Sequence, residues 1–428
     1  MRISLSLLTV ASTATAAVVQ LPSRTLHARD IADISLVRTI AINIATRSWE
    51  LGTLAEALLE LDYSSLSVFG DNALPPPVYS TPDVAPQEVL NIATTVVASK
   101  PTNLTTLVDG DGAVGDPASL GSVVLLANWT YGDAAYSSAA SEQLNYLLYT
   151  APRAPSGAIS HRTDQAQLWA DFMYMAPPFI AYYGALIGGD YGTYLVREAV
   201  NQSSLYRDAL FDQDAGLWRH VALGDWQDTN HWATGNGWAA AGMLRVLMTV
   251  SIYSAATGID FSSEQSSLTG WINETLSGVW SHQQADGSLL NYVDQDASVT
   301  FLDTSSTALL AATSFRFATV TNTTAHTAAA AEAYRLVQSN IDASGYLWNT
   351  VDPLTFSSAS AAGAASPEGQ SFVLMLEAAV DACSATQTNQ VVAEMLEDVG
   401  LRLHPGREQA LLAAMGFGMY VFFAGLCC

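Results

Sequence analysis

Positive charge is what this chain has least of. Its 428 residues include only 16 Lys or Arg against 40 Asp or Glu, Lys100 is the single lysine, and the formal net charge is -24 with a pI near 4.3. Phosphate backbones and anionic lipid surfaces are held by clustered cations, so this balance excludes nucleic acid as a partner and argues against adsorption to acidic membranes. Cysteine is almost absent too. Cys383, Cys427 and Cys428 give neither a disulfide framework nor metal-ligand spacing, so stability must come from packing, and no metal or organic cofactor is expected. Charged residues of both signs make up only 13% of the chain while half of it is apolar, which excludes a disordered chain and provides for a large core. Runs that alternate apolar and polar residues are rare, and that speaks against sheet.

What is present is helical periodicity. Apolar residues recur at helical spacing over 51–61, 89–98, 143–149, 191–210, 239–250, 307–317, 328–337 and 372–382. The pattern predicts an all-α protein. Pro177 and Pro178 suit the first turn of a further helix, where the missing amide hydrogen is not needed. Between helices a turn-rich motif returns at Asp109 to Gly112, Asp212 to Gly216, Asp286-Gly287 and Asp342 to Gly345. Asp and Gly there suit tight turns and left-handed backbone, and the recurrence points to a repeated helical hairpin. Residues 75–77 and 357–366 read as loops.

The ends read differently. Residues 1–17 have a positive start, a short apolar run and small residues before a cut near Ala16 or Ala17, as in a secretory signal. Residues 18–30 read as a leader, 31–395 as the main folded domain, and 396–428 as an apolar tail. The uncharged run from Ala410 fits a lipid-anchor signal in length, with a docked final helix as the alternative, so a membrane-associated or cleaved tail is expected. Asn-x-Ser/Thr acceptors at Asn103, Asn128, Asn201, Asn273 and Asn322 agree with passage through a secretory lumen. A secreted or cell-surface monomer is the expectation.

The chemistry concentrates in two segments. In the first, Trp169, Tyr174, Met175 and Pro178 surround Asp171, and such apolar neighbours disfavour a charged carboxylate and would raise its pKa. An Asp in that state can give a proton near neutral pH. Its competing role is a helix cap. The second segment is Trp232-Ala-Thr234-Gly235-Asn236-Gly237-Trp238. Together they resemble the Trp-x-Asp-x-x-Tyr-Met and Trp-x-x-Gly-Asn-Gly-Trp signatures of the unsaturated uronyl hydrolases of glycoside hydrolase families 88 and 105. Weaker matches follow the same order at Gly216 to His220, Leu302 to Ala308 and Gly369 to Phe372.

That resemblance implies a six-hairpin (α/α)6 toroid. It also implies an oligosaccharide substrate whose non-reducing end is a 4,5-unsaturated uronic acid left by a lyase, of pectin or rhamnogalacturonan type. The vinyl ether is protonated at C4, water adds at C5, and the opened ring expels the rest of the chain. Asp171 is implied as the acid, Asp116 (with Asp111 as rival) as a second carboxylate that contacts substrate and tunes it, and His161 and His220 as neighbours of the sugar. Trp169, Tyr174, Trp232, Asn236 and Trp238 complete the expected substrate-binding set, with core packing as the alternative for the tryptophans. The pattern departs at Thr234, where family members often carry an Arg that pairs with the uronate. A hydroxyl cannot replace a charged fork, so Arg162, Arg219 or a histidine supplies the contact, or preference has shifted, or turnover is lost. The alternatives are therefore a non-catalytic carbohydrate-binding toroid or another α/α-toroid cell-wall glycosidase.

Overall fold

The computed structural model describes residues 28–77 and 85–398. The signal-like segment, most of the leader and the apolar tail beyond residue 398 lie outside the described residues. Two compact units meet at Val380 and Asp381.

Thirteen α-helices occur among the described residues: α1 (Ala28–Ile44), α2 (Ser48–Asp62), α3 (Gln87–Ser99), α4 (Gly121–Tyr131), α5 (Ala134–Asn145), α6 (Phe172–Met175), α7 (Pro177–Ile187), α8 (Gly189–Leu210), α9 (Ala233–Thr257), α10 (Ser262–Trp280), α11 (Thr304–Thr321), α12 (Thr327–Ser339) and α13 (Pro367–Asp398). Helix α1 begins within the stretch expected as leader. Strand is limited to two short antiparallel ladders, β1 (Gln167–Trp169) with β4 (Val221–Leu223), and β2 (Phe211–Asp212) with β3 (Leu217–Trp218).

Burial sorts the longer helices of the first unit into two rings. Helices α9 and α11 are buried along nearly their whole length, and α2, α4, α7 and the start of α13 along most of theirs, whereas α3, α5, α8, α10 and α12 bury one stripe. A helix apolar all round belongs inside, and one with a single apolar stripe belongs at the surface. The chain thus alternates inner and outer helices as α2/α3, α4/α5, α7/α8, α9/α10 and α11/α12. Helix α1 completes the outer ring beside α13, whose Gln370 Nε2 donates to the Val37 carbonyl at 3.5 Å. The result is the all-α, six-hairpin (α/α)6 toroid.

The returning turns are where an outer helix hands the chain back to the next inner one. Each is an Asx turn, with the Asp carboxylate accepting from the amide two residues on: Asp109 from Asp111, Asp212 from Asp214, Asp286 from Ser288, and Asp342 from Ser344. Gly345 shows why the last residue is glycine. Its φ is +89°, and a Cβ would lie 2.5 Å from Leu36 Cβ on α1.

Past the midpoint of the inner helices the ring is bolted by buried ions. Glu60 on α2 binds Arg245 on α9 and, at 3.0 Å, Arg316 on α11, while Glu56 takes a second Arg245 nitrogen at 2.8 Å. Phe69 lies against both guanidinium groups, at 5.4 and 5.0 Å. Glu60→Gln leaves two buried cations undercompensated and is expected to cost about 3–5 kcal/mol of stability. Urea denaturation checks this, and a loss below about 1 kcal/mol, the scale of an exposed pair, would show that the cluster is not a structural bolt.

Candidate active site

The N-termini of the inner helices open onto one cleft. Ahead of α4, Asp116 starts a single 3-10 turn with Pro117 next to it. Asp171 precedes the one-turn helix α6, and its side chain makes no capping bond, so the cap role is not used. Pro177 and Pro178 begin α7 as the sequence predicts. Trp232 precedes α9, and Glu368 lies in the first turn of α13. Asp116, His161, Arg162, Trp169, Asp171, Trp232, Trp238 and Glu368 all line one cavity of about 190 Å³. The rival Asp111 sits at its exposed edge, 3.8 Å from Arg47.

The β1–β4 ladder explains how His220 reaches Asp171. Trp169 is in register with Val221, and the next amide, that of Ala170, donates to the His220 carbonyl at 2.9 Å. Asp171, the residue after Ala170, is thereby set beside His220, whose Nε2 lies 3.5 Å from Asp171 Oδ2. The other ring nitrogen, Nδ1, is 3.0 Å from Asp228 Oδ2. His161 stacks on Trp169 at 5.0 Å and puts Nε2 3.8 Å from Asp116 Oδ1.

Electrostatics divides these groups. Burial and the charge of Asp171 push the Asp116 carboxyl up to about 8, so it is protonated at neutral pH. Burial also lowers His161, to about 4, so its contact with Asp116 is between neutral groups. Asp171 runs against the sequence expectation. Its burial opposes ionisation, but the imidazolium of His220, 3.5 Å away, outweighs it, and its pKa is lowered rather than raised. His220 is raised: burial works against its proton, yet Asp171 and Asp228 together hold it. The apolar neighbours of Asp171 are real, but sequence could not show the imidazole delivered by the ladder.

Two expected substrate contacts are corrected. Asn236 is fully buried, accepts from the Trp218 amide at 2.8 Å, and donates to the Trp218 and Trp232 carbonyls at 3.0 and 2.9 Å. It fastens β3 to α9 and has no polar atom left for sugar. Tyr174 lies beneath the cleft, packed on Trp238 at 4.6 Å with the Arg245 guanidinium 5.2 Å away. Thr234, in place of the family Arg, is also turned inward and donates to Asp303 Oδ2 at 3.3 Å. Of the candidate replacements, Arg219 is bound to Asp212, whereas Arg162 lines the cavity and meets only an exposed carboxylate, Asp164, at 3.9 Å. Gly112 makes room for it: at φ +82° it carries no Cβ, and one there would be 2.3 Å from an Arg162 nitrogen.

Sequence reading missed Asp228, Glu368, Trp226 and Phe356. Glu368 is buried, and burial with the charges of Glu50 and Asp171 raises it well above the usual carboxyl range, so it is a neutral acid in the cavity wall. Trp226 stands 5.3 Å from Trp169, and Phe356 lies parallel to it at 6.3 Å, extending the aromatic wall outward. Phe356 has φ +47°, an uncommon conformation for an aromatic residue. The Pro367-Glu368 helix start, just before the Gly369-Gln370 match, was the one available signal.

An α/α toroid with paired buried carboxyls at the inner-helix N-termini and tryptophan walls defines the class as a six-hairpin glycosidase fold. The chain belongs to glycosyl hydrolase family 88, whose profile matches residues 105–352. A curated relative, the unsaturated rhamnogalacturonyl hydrolase YesR of Bacillus subtilis, is 28% identical over 175 residues, covering 38% of this chain. The matched region spans about half (49%) of that relative's length. In fold, the chain is similar to a possible member of glycoside hydrolase family 105 from Klebsiella pneumoniae, with a TM-score of 0.68 and 17% identity over 89% of this chain and all of that one. It is also similar to an unsaturated glucuronyl hydrolase of a Bacillus species, with a TM-score of 0.58 and 15% identity over 82% and 96% of the two chains.

The scaffold role of Asn236 is testable. Asn236→Ala strips the Trp218 amide of its buried partner and is expected to lower stability by about 1–3 kcal/mol, read as a shifted denaturation midpoint. A variant of unchanged stability with a raised KM would instead return Asn236 to the sugar site.

Proposed function

We propose that this protein hydrolyses lyase-generated oligosaccharides and releases the 4,5-unsaturated uronic acid from their non-reducing end. The observation that carries the reading is the pair Asp116 and Asp171, one driven up and one driven down inside a single aromatic-walled cavity. Such a pair holds one proton at neutral pH, resident on Asp116 in the free cleft. The reaction needs one carboxyl to protonate C4 and one carboxylate to take a proton from the water that adds at C5. The product is a C5 hemiketal that opens and expels the remaining sugar chain, and the pair regains its proton from that water. Family likeness gives the donation to Asp171. Transfer of the shared proton from Asp116 to Asp171 on substrate binding fits that role with the charge state of the free cleft.

The substrate is an anion and the protein carries a large negative charge, so recognition must be local. Arg162 is the donor for the uronate carboxylate, and the positive ends of the inner helices add to its field. The tryptophan walls suit sugar faces. The likeness to the rhamnogalacturonyl relative, 28% identity over 175 residues, favours a pectin or rhamnogalacturonan-type substrate. The signal-like start and the acceptors Asn103, Asn201, Asn273 and Asn322, all exposed in the fold, support a secreted glycoprotein.

Loss of the conjugated double-bond absorbance on incubation with lyase-generated oligosaccharides tests the activity directly. Asp171→Asn should fold and lose about 100- to 10,000-fold in kcat, and a folded variant with most of its turnover would sink the assignment. The pH profile of kcat/KM follows from the pair. Activity is lost as pH rises through about 8, where Asp116 gives up the shared proton, and persists on the acid side to below the ordinary carboxylate range, because Asp171 stays ionised there. Arg162→Met should cost about 10- to 150-fold in kcat/KM, the worth of a charged hydrogen bond, mostly through KM. An unchanged KM would mean that the uronate is held elsewhere.

A further inference from the structure

We infer that Asp228 is a positioning residue of this cleft: it fixes which nitrogen of His220 faces Asp171 and holds the positive charge on that ring. The assignment rests on the hydrolase reading of the cleft, and the contacts that motivate it are independent of that reading. His220 is fully enclosed, with Trp169, Trp232 and Phe356 around the ring at 5.4, 4.5 and 4.6 Å. Its two nitrogens have two carboxylates and nothing else that is charged: Asp228 Oδ2 at 3.0 Å from Nδ1 and Asp171 Oδ2 at 3.5 Å from Nε2. Hydrogen-bonding Nδ1–H to Asp228 leaves Nε2 as the nitrogen that meets Asp171.

Asp228 is itself locked. Its main chain forms a bridge with Val221, the first residue of β4, through bonds of 2.8 and 3.2 Å. Its Oδ1 accepts from the Asn230 amide and side chain at 3.2 and 2.7 Å, and its Oδ2 accepts from the Tyr292 hydroxyl at 3.3 Å. The same loop ties back to the histidine, whose amide donates to the Asn230 carbonyl at 3.0 Å. Three elements therefore converge on one carboxylate, which is 8% exposed.

His161 shows what happens without such a partner. It shares the cavity, lies 3.8 Å from a protonated carboxyl, and is neutral down to about 4. Burial alone strips an imidazole of its proton. His220 suffers the same burial and keeps its charge because Asp171 faces one nitrogen and a second carboxylate, Asp228, stands behind the other. The titratable and charged groups around His220 are Asp171 ahead of α6, Asp228 on the loop after β4, His161 and Arg162 ahead of β1, and Tyr292 on the loop after α10. Beyond Asp171 lie Asp116 and Glu368. Through Nε2–H the imidazolium stabilises Asp171 each time the reaction leaves it as a carboxylate.

The experiment follows the seven histidines by nitrogen-15 NMR in the full chain, with His220→Gln used only to assign the resonance, alongside pH–rate profiles on lyase-generated oligosaccharides. In the wild type His220 should keep a hydrogen-bonded Nδ1–H and titrate above an ordinary histidine. In Asp228→Asn, which keeps an acceptor but no charge, the His220 midpoint should fall by about one pH unit or more. kcat/KM should fall about tenfold or more, chiefly in kcat. The acid limb should move upward, because Asp171 loses the cation that keeps it ionised. Asp228→Glu should restore part of both. A His220 midpoint that ignores Asp228→Asn overturns the proposal, as does a moved midpoint with a wild-type pH profile. Should Asp228→Asn not fold, the wild-type Nδ1–H resonance decides: its absence, with Nε2 as the nitrogen protonated in the neutral ring, is equally fatal. A wild type inert on every unsaturated oligosaccharide removes the hydrolase reading, while the NMR arm still decides whether Asp228 holds the ring.

Discussion

Glu60 is the residue on which the geometry of the ring turns. Its carboxylate, almost without solvent, is shared by Arg245 and Arg316 and so joins α2, α9 and α11 across the middle of the toroid. Charges removed from water to this degree gain little net stability. What they impose is register, since sliding any one helix by a turn would strand a buried charge. Fixing that register fixes where the inner helices begin. The residues ahead of or within their first turns, Asp116, Asp171, Trp232 and Glu368, become walls of one cavity rather than scattered loop positions.

That cavity also shows how little of a site's behaviour follows from residue type. Two aspartates and two histidines share it, and each pair is split by its second neighbour. For Asp116 burial and the repulsion of Asp171 outweigh the pull of Arg162, so it keeps a proton. Asp171 has His220, so it does not. His161 faces a neutral acid and loses its charge, and His220 faces two carboxylates and keeps it. A net charge of -24 has no bearing on these assignments, because inside a desolvated pocket the nearest few ångströms dominate over the distant field.

Much of the fold was legible. Periodicity found many of the helices, among them α2, α3, α8 and α12, though not α10 with its single apolar stripe, and the repeated Asp/Gly turns marked the returns between them. It did not find α4, which is apolar on all sides, or the first two turns of α9, where Gly235, Gly237 and Ala residues mimic a loop. Close packing explains both: Gly237 meets Leu309 on α11, and a Cβ there would lie 2.7 Å from it. The motif residues Asp171, Trp232 and Trp238 do line one cavity, but the motifs do not tell each residue's part in it. Asn236 and Tyr174 belong to the signature because they build the floor, and the signature cannot tell a floor from a contact. Asp228 and Glu368 were invisible for the opposite reason, lying in segments with no pattern and brought in by a bridge to β4 and by the last inner helix.

The replacement at Thr234 is best understood from the opposite wall. Arginine at that position would enter the cleft from the start of α9. Here the side chain is small enough to turn back onto Asp303, the N-cap of α11, where its hydroxyl adds one more donor to a carboxylate already bound by the amides of Ser305, Ser306 and Val351. On the proposed reading the cation comes from Arg162, which fits because the Asp109 to Gly112 turn ends in a residue without Cβ. A guanidinium on the Asp116 side stabilises the charged form of that carboxyl, so on the proposed reading a uronate held by Arg162 would also neutralise the one group that favours loss of the shared proton, and substrate binding would support proton retention.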